Sequence, residues 1–317
     1  MDIKFLHPRY WLIWLAVFLL RAIVLLPQSQ RMWIGRQVGL LLYHISPKRR
    51  AVAAKNIELC FPDFQQQDID KTVKKHFLSL GMSLIDNAAC WWKSDRSIKD
   101  LAQIEGLEHL DKAVKEGRSV ILLASHFNML EFGLRLLKTN TSYPVFAVYQ
   151  PNSNPLLDKL ILEGRERNAK GMISYKEIRK MIRYLKQGQI IWYAPDQGYM
   201  GKYSEMVPFF GIPAASNTAT SRLAKLSGAA VIPFFVRQSE DYKSYQLSLY
   251  PPMEEFPTND PIADTERYHH LIEQEITKAP EQYLWVHRRF KNRPEQYPDV
   301  YQDIALRKKR KVIQTEG

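Results

Sequence analysis

The chain has 317 residues, 45% of them apolar and 12% aromatic, so it can bury a sizeable core and a mainly disordered state is excluded. A mean hydropathy of -0.33 excludes a polytopic membrane protein. The 45 Lys and Arg outnumber the 33 Asp and Glu, and the formal charge of +12 favours polyanions: nucleic acid, an anionic bilayer, or acidic and phosphorylated substrates.

From Tyr10 to Leu26 every residue is apolar or aromatic except Arg21, and the run of 17 ends at Pro27. As one helix it would be about 25 Å long, short against a bilayer core of about 30 Å. Residues 1–30 therefore read as an N-terminal membrane anchor helix that either spans or lies in the interface, with Tyr10, Trp11 and Trp14 as interfacial aromatics. A buried core helix is the plainer alternative. Lys4 and Arg9 precede the run, while Arg31, Arg36, Lys48, Arg49 and Arg50 follow it, which puts the main domain on the cytoplasmic side. Two cysteines, Cys60 and Cys90, make no disulfide framework and no metal cluster. Their apolar neighbours predict buried structural thiols in a reducing cytosol.

Helical patterns cover Pro47–Leu59 and Gln67–Trp92. Beyond them, short apolar runs at 119–124, 143–149, 189–194, 229–236 and 245–250 alternate with helical stretches at 127–138, 154–169, 174–187 and 216–227. This alternation predicts an α/β fold: a mostly parallel central sheet covered by helices on both faces. One catalytic-sized domain is expected over 31–300, followed by a basic tail over 301–317. In such a sheet, ligands sit past the carboxyl ends of the strands.

Two strand ends carry chemistry. Past 119–124 come Ser125 and His126, with Glu131 five residues on. Two helical residues so spaced point about 140° apart, so the pair meets only if His126 precedes the helix proper. Ser125 or Asn128 then serves as cap. In that arrangement Glu131 holds the imidazole and His126 acts as general base; a satisfied structural histidine is the alternative reading. With neither a G-x-S-x-G motif nor a Cys/His triad, one substrate must attack the other directly. Past 189–194, at the same edge of the sheet as His126, come Asp196 and Gln197, which bind polar substrate groups, orient the site, or form a simple turn.

Arg165 and Arg167 end a helical run and suit phosphate, or else lie on a solvated face. Val207–Pro213 either lines an alkyl pocket or belongs to the core. The basic runs His287–Arg293 and Arg307–Lys311 suit anionic lipid.

Taken with Asn56–Pro62, Trp192–Gln197 and Pro280–Lys291, the His126/Glu131 motif resembles the late lipid A acyltransferases of Gram-negative bacteria, the lauroyl/myristoyl acyltransferase family. The resemblance runs over nearly the whole chain. It implies an inner-membrane enzyme facing the cytoplasm. Such an enzyme moves an acyl chain from acyl carrier protein to a 3-hydroxyacyl hydroxyl of a lipid A precursor, with His126 and Glu131 as catalytic dyad and no cofactor. Arg165, Arg167, Asp196 and Gln197 match positions near that family's active site. Glycerolipid acyltransferases carry H-x4-D and an FPEGTRS-like string; here Glu131 replaces the Asp and Ala194–Gly198 replaces the string. A glycerophospholipid acyltransferase is the nearer rival, and a non-enzymatic membrane-attached binding protein the more distant one. Nucleic acid is not expected as a partner.

Overall fold

The computed structural model describes residues 3–304. Two 3-10 turns, Ile3–Leu6 and Pro8–Tyr10, lead into α1 (Trp11–Val24), and Pro27 separates it from α2 (Gln28–Ile45). The expected single helix over the apolar run is present but trimmed at both ends, and it stops before Pro27. α1 has only 14 residues, and among the described residues no helix is long and apolar enough to cross a membrane. α1 instead packs along the domain: Val24 and Leu20 meet Ala88, Ala89 and Trp92, while Tyr10, Ile13 and Trp14 join Leu156 and Leu160. Tyr10, expected at an interface, is buried, but Trp11, Leu12, Leu15, Phe18 and Leu19 stay at least half exposed.

Next come α3 (Pro47–Cys60) and the long α4 (Gln66–Trp92). Pro47 opens α3 at a position where its missing N–H costs nothing. α2 and α4 cross with their backbones in contact. A Cβ on Gly81 would lie 2.2 Å from the Gly35 carbonyl oxygen and 2.3 Å from the Gly39 nitrogen, so only glycine fits there.

The sheet follows: α5 (Asp95–Lys99), β1 (Ala102–Glu105), α6 (Leu107–Lys115), β2 (Val120–Ala124), α7 (Leu130–Asn140), β3 (Val145–Tyr149), α8 (Pro155–Glu166), β4 (Gly171–Ser174), α9 (Ile178–Lys186) and β5 (Ile190–Tyr193). A hairpin of β6 (Ser204–Phe209) and β7 (Ile212–Asn217) intervenes. Then α10 (Ala219–Ser227), β8 (Ala230–Gln238), β9 (Tyr245–Leu249) and α11 (Pro261–Lys278) complete the domain.

Seven strands pair in the order β1-β9-β8-β2-β5-β3-β4, all parallel except β8 against β9. Successive side chains of a strand point to opposite faces, so the continuous apolar runs of β2 and β5 feed two cores. Ile121, Leu123, Ile191 and Tyr193 pack beneath α9, α10 and α11, while Val120, Leu122, Ile190 and Trp192 pack beneath α6 and α7. The mostly parallel sheet with helices on both faces is as expected, and both cysteines are buried free thiols, their pKa values pushed up by burial.

Val207–Pro213 is no alkyl pocket. It is the β6–β7 turn region, with Val207 and Phe209 fully buried and Phe210 and Gly211 turning at φ of 51° and 71°. Ser216 and Asn217, expected in a helix, finish β7. The tail 305–317, with the basic run Arg307–Lys311, lies outside the described residues, whereas Tyr301 is core and donates to Asn56 at 2.5 Å.

Candidate active site

β2 and β5 are neighbours, with Leu123 opposite Tyr193. Three residues past each of these stand His126 and Asp196, so parallel pairing alone brings the two to the same sheet edge. His126 Nδ1 lies 2.6 Å from Asp196 Oδ1, and the His126 backbone N–H donates to Oδ2 at 2.9 Å. The Tyr283 hydroxyl donates to Oδ2 at 3.0 Å. Burial by itself would raise the Asp196 carboxyl, but the His126 ring and these hydrogen bonds prevail and hold it down at about 2. Asp196 is therefore a carboxylate throughout the physiological range, sealed from water, with an imidazole as its main partner.

The expected contact between Glu131 and His126 is replaced by two separate pairs. Glu131 lies in the first turn of α7, and its carboxylate is gripped by Arg165 of α8, whose Nε donates to both oxygens at 2.9 and 3.1 Å while Nη2 makes a further close contact. Burial would lower the Arg165 pKa, yet the Glu131 charge raises it above the ordinary value. The reason is topological: α7 starts four residues past His126, and in that first turn the Glu131 carboxylate meets α8, while the imidazole turns to β5. Neither Ser125 nor Asn128 caps α7. Asn128 donates instead to Ser79 at 3.0 Å.

His126, its side chain 28% exposed, lines a cavity of about 490 Å³. Arg165 and Gln197 share the wall with Leu130, Val148, Ile178 and Trp192, so a charged group and an amide stand among apolar side chains. With Nδ1 engaged by Asp196, Nε2 is the nitrogen left to move a proton. Arg167 does not line this cavity; it is exposed and donates to the Trp91 carbonyl at 2.8 Å.

The segment after α11 braces the site. Leu284 N–H donates to the His126 carbonyl at 3.0 Å, Asn128 N–H to that of Gln282 at 2.7 Å, and Phe127 bridges to Tyr283. Asn56 Nδ2 in turn holds the carbonyls of Trp285 and His287, each at 2.7 Å. Arg289, expected to face anionic lipid, is buried and donates to Ala215 and Ser216 on β7. Tyr283 and Asn56 brace the site by hydrogen bonds, and chemistry-seeking motifs pass over them. The available signal was that both fall in strings that carry the family resemblance, Asn56–Pro62 and Pro280–Lys291.

Residues 1–292 match the family model described as bacterial lipid A biosynthesis acyltransferase. The chain is 39% identical over 297 residues to the lipid A biosynthesis lauroyltransferase of Escherichia coli (strain K12), covering 93% of this chain and 96% of that one. It is 37% identical over 292 residues to the palmitoleoyltransferase of the same organism, covering 92% and 94% respectively. With the E. coli myristoyltransferase the identity is 27% over 295 residues, 92% of this chain and 90% of the relative. A match of that extent settles the relationship: the chain belongs to the bacterial lipid A biosynthesis acyltransferase family.

Proposed function

We propose that this acyltransferase moves a fatty acyl chain of the lauroyl/myristoyl class from acyl carrier protein to a 3-hydroxyacyl hydroxyl of a lipid A precursor, completing lipid A in lipopolysaccharide biosynthesis. The observation that carries the mechanism is the 2.6 Å contact between His126 Nδ1 and buried Asp196 at the wall of the cavity. His126 Nε2 takes the proton of the acceptor hydroxyl as its oxygen attacks the thioester carbonyl carbon. The carbon–sulfur bond breaks and the proton passes to the departing thiolate. Asp196 fixes the tautomer and stabilises the imidazolium formed in between. Glu131 acts through Arg165, holding the guanidinium at the cavity wall, where its charge favours the developing oxyanion. Gln197 offers an amide to polar substrate atoms, and Arg167 secures α8 to the end of α4.

The exposed apolar side chains of α1 support seating in the plane of the inner membrane, with the catalytic domain on the cytoplasmic face. Ile3, Leu6 and Leu25 extend that face, and each is more than half exposed. Arg21 does not sit there bare; its guanidinium lies 5.1 Å from the ring centre of Trp92. A surplus of basic side chains suits anionic lipid, the lipid A phosphates and an acidic carrier protein.

The test offers purified protein an acyl-loaded carrier protein together with a lipid A precursor and a lysophospholipid. Acylated lipid A precursor is the expected product. Acylation of the lysophospholipid alone would overturn the reading.

A further inference from the structure

A second, separate groove ends close to His126. A groove of about 360 Å³ runs between α2, α4 and the segment after α11, walled by Leu42, Phe77, Leu80, Leu284 and Val286. It shares no lining residue with the 490 Å³ cavity. Between them is a neck too tight to admit water in this structure, whose lining includes His126 and Gln197 from the cavity side and Leu284 and His287 from the groove side. His287 Nε2 is buried there without a hydrogen-bond partner, although nearly every buried polar atom in a folded protein has one. Burial, Lys291 and the nearby His126 push its pKa down to about 4, so this ring is neutral at physiological pH.

We propose that this groove holds an acyl chain of the acceptor, a phosphorylated membrane lipid, and that His287, which lines the same neck as His126, meets the acceptor's polar atoms beside it. The assignment rests on the proposed acyl transfer, and three observations favour the acceptor over the donor as occupant. α2, which supplies Leu42 to the groove wall, also leaves Leu41 and Ile45 58% and 63% exposed, so it offers an apolar surface of the kind that α1 presents. Its rim carries Ser46 and Arg49, with Lys48 and Arg50 on either side of Arg49, a cationic corner suited to a phosphorylated headgroup. The walls are mainly hydrocarbon, and one unpaired imidazole nitrogen waits at the inner end, as a chain bearing a hydroxyl requires.

Steady-state kinetics with acyl-loaded carrier protein and lipid A precursor in mixed micelles, each varied at saturation of the other, test the assignment. Leu80→Trp fills the groove at a half-exposed site, and Leu42→Trp is a second filling variant should the first fold poorly. Ile178→Trp narrows the other cavity. The groove variants are expected to raise the acceptor KM on the order of tenfold with the donor KM unchanged, and Ile178→Trp to do the reverse. A groove variant that folds and raises only the donor KM, or neither, overturns the assignment while leaving acyl transfer intact. Wild-type protein that acylates no lipid A precursor overturns both.

Discussion

The two halves of one short motif, His126 and Glu131, serve different partners. His126 lies on the β2–α7 loop and meets Asp196, 70 residues away in sequence, whereas Glu131 sits on α7 and meets Arg165, 34 residues away. The first pair has a fully buried carboxylate facing a half-buried imidazole; the second is a forked ion pair between two helices at the cavity wall. In the proposed mechanism one moves a proton and the other holds a charge still. Spacing along the chain says which residues travel together, and strand pairing says which ones touch.

Substitutions at each end separate the two roles. His126→Ala removes the proposed base, and acyl transfer is expected to fall on the order of 10³-fold with the fold retained. Asp196→Asn preserves shape but loses the charge and favours the wrong tautomer, so a loss of roughly 10²-fold in kcat is expected. Glu131→Gln loosens Arg165 without touching the imidazole, and the expected loss is about tenfold, nearly matched by Arg165→Lys, which keeps charge but not the fork. Should Glu131→Gln prove as damaging as His126→Ala while Asp196→Asn stays active, the division of labour is wrong.

A smaller effect concerns histidines away from the chemistry. His76 and His269 are fully buried, and burial pushes their pKa values down from 6.5 to about 4 and about 3. The unfolded chain binds these protons first, so stability is complete above pH 6.5 and falls as the pH drops toward 4. Asp86 works the other way: burial raises it to about 6, so acid relieves its buried charge over a narrower span. The balance predicts a lower urea midpoint at pH 4.5 than at pH 7, with roughly 1–3 kcal/mol lost per histidine. An unchanged midpoint would show that these rings are hydrated.

Much of the sheet was legible because β2, β5 and most of β8 are apolar runs buried on both faces, the strongest strand signal a sequence gives, with β3 apolar and β9 alternating beside them. The short β1 and β4, four residues each, carry Gln103, Glu105 or Gly171 and do not stand out. The β6–β7 hairpin was hidden by Pro208 and Pro213, which face each other across it and argue against strands. The anchor run does form one helix, but hydropathy does not register its start at Trp11 or the packing of its flank on α4 and α8. His126 and Asp196 were each legible as strand-end residues. Their contact was not, since it depends on β5 lying beside β2. An equal offset of three residues past each strand was the clue available. Arg289 misled because charge runs usually face solvent, and here the guanidinium is used to tie β7 to the segment that carries Tyr283.

The most direct check is 15N NMR of the His126 imidazole in wild-type protein, Asp196→Asn and Glu131→Gln. Wild type is predicted to hold the proton on Nδ1 in a strong hydrogen bond with Nε2 unprotonated, Glu131→Gln to retain that pattern, and Asp196→Asn to lose it. Loss of the pattern in Glu131→Gln, with its survival in Asp196→Asn, would contradict the account.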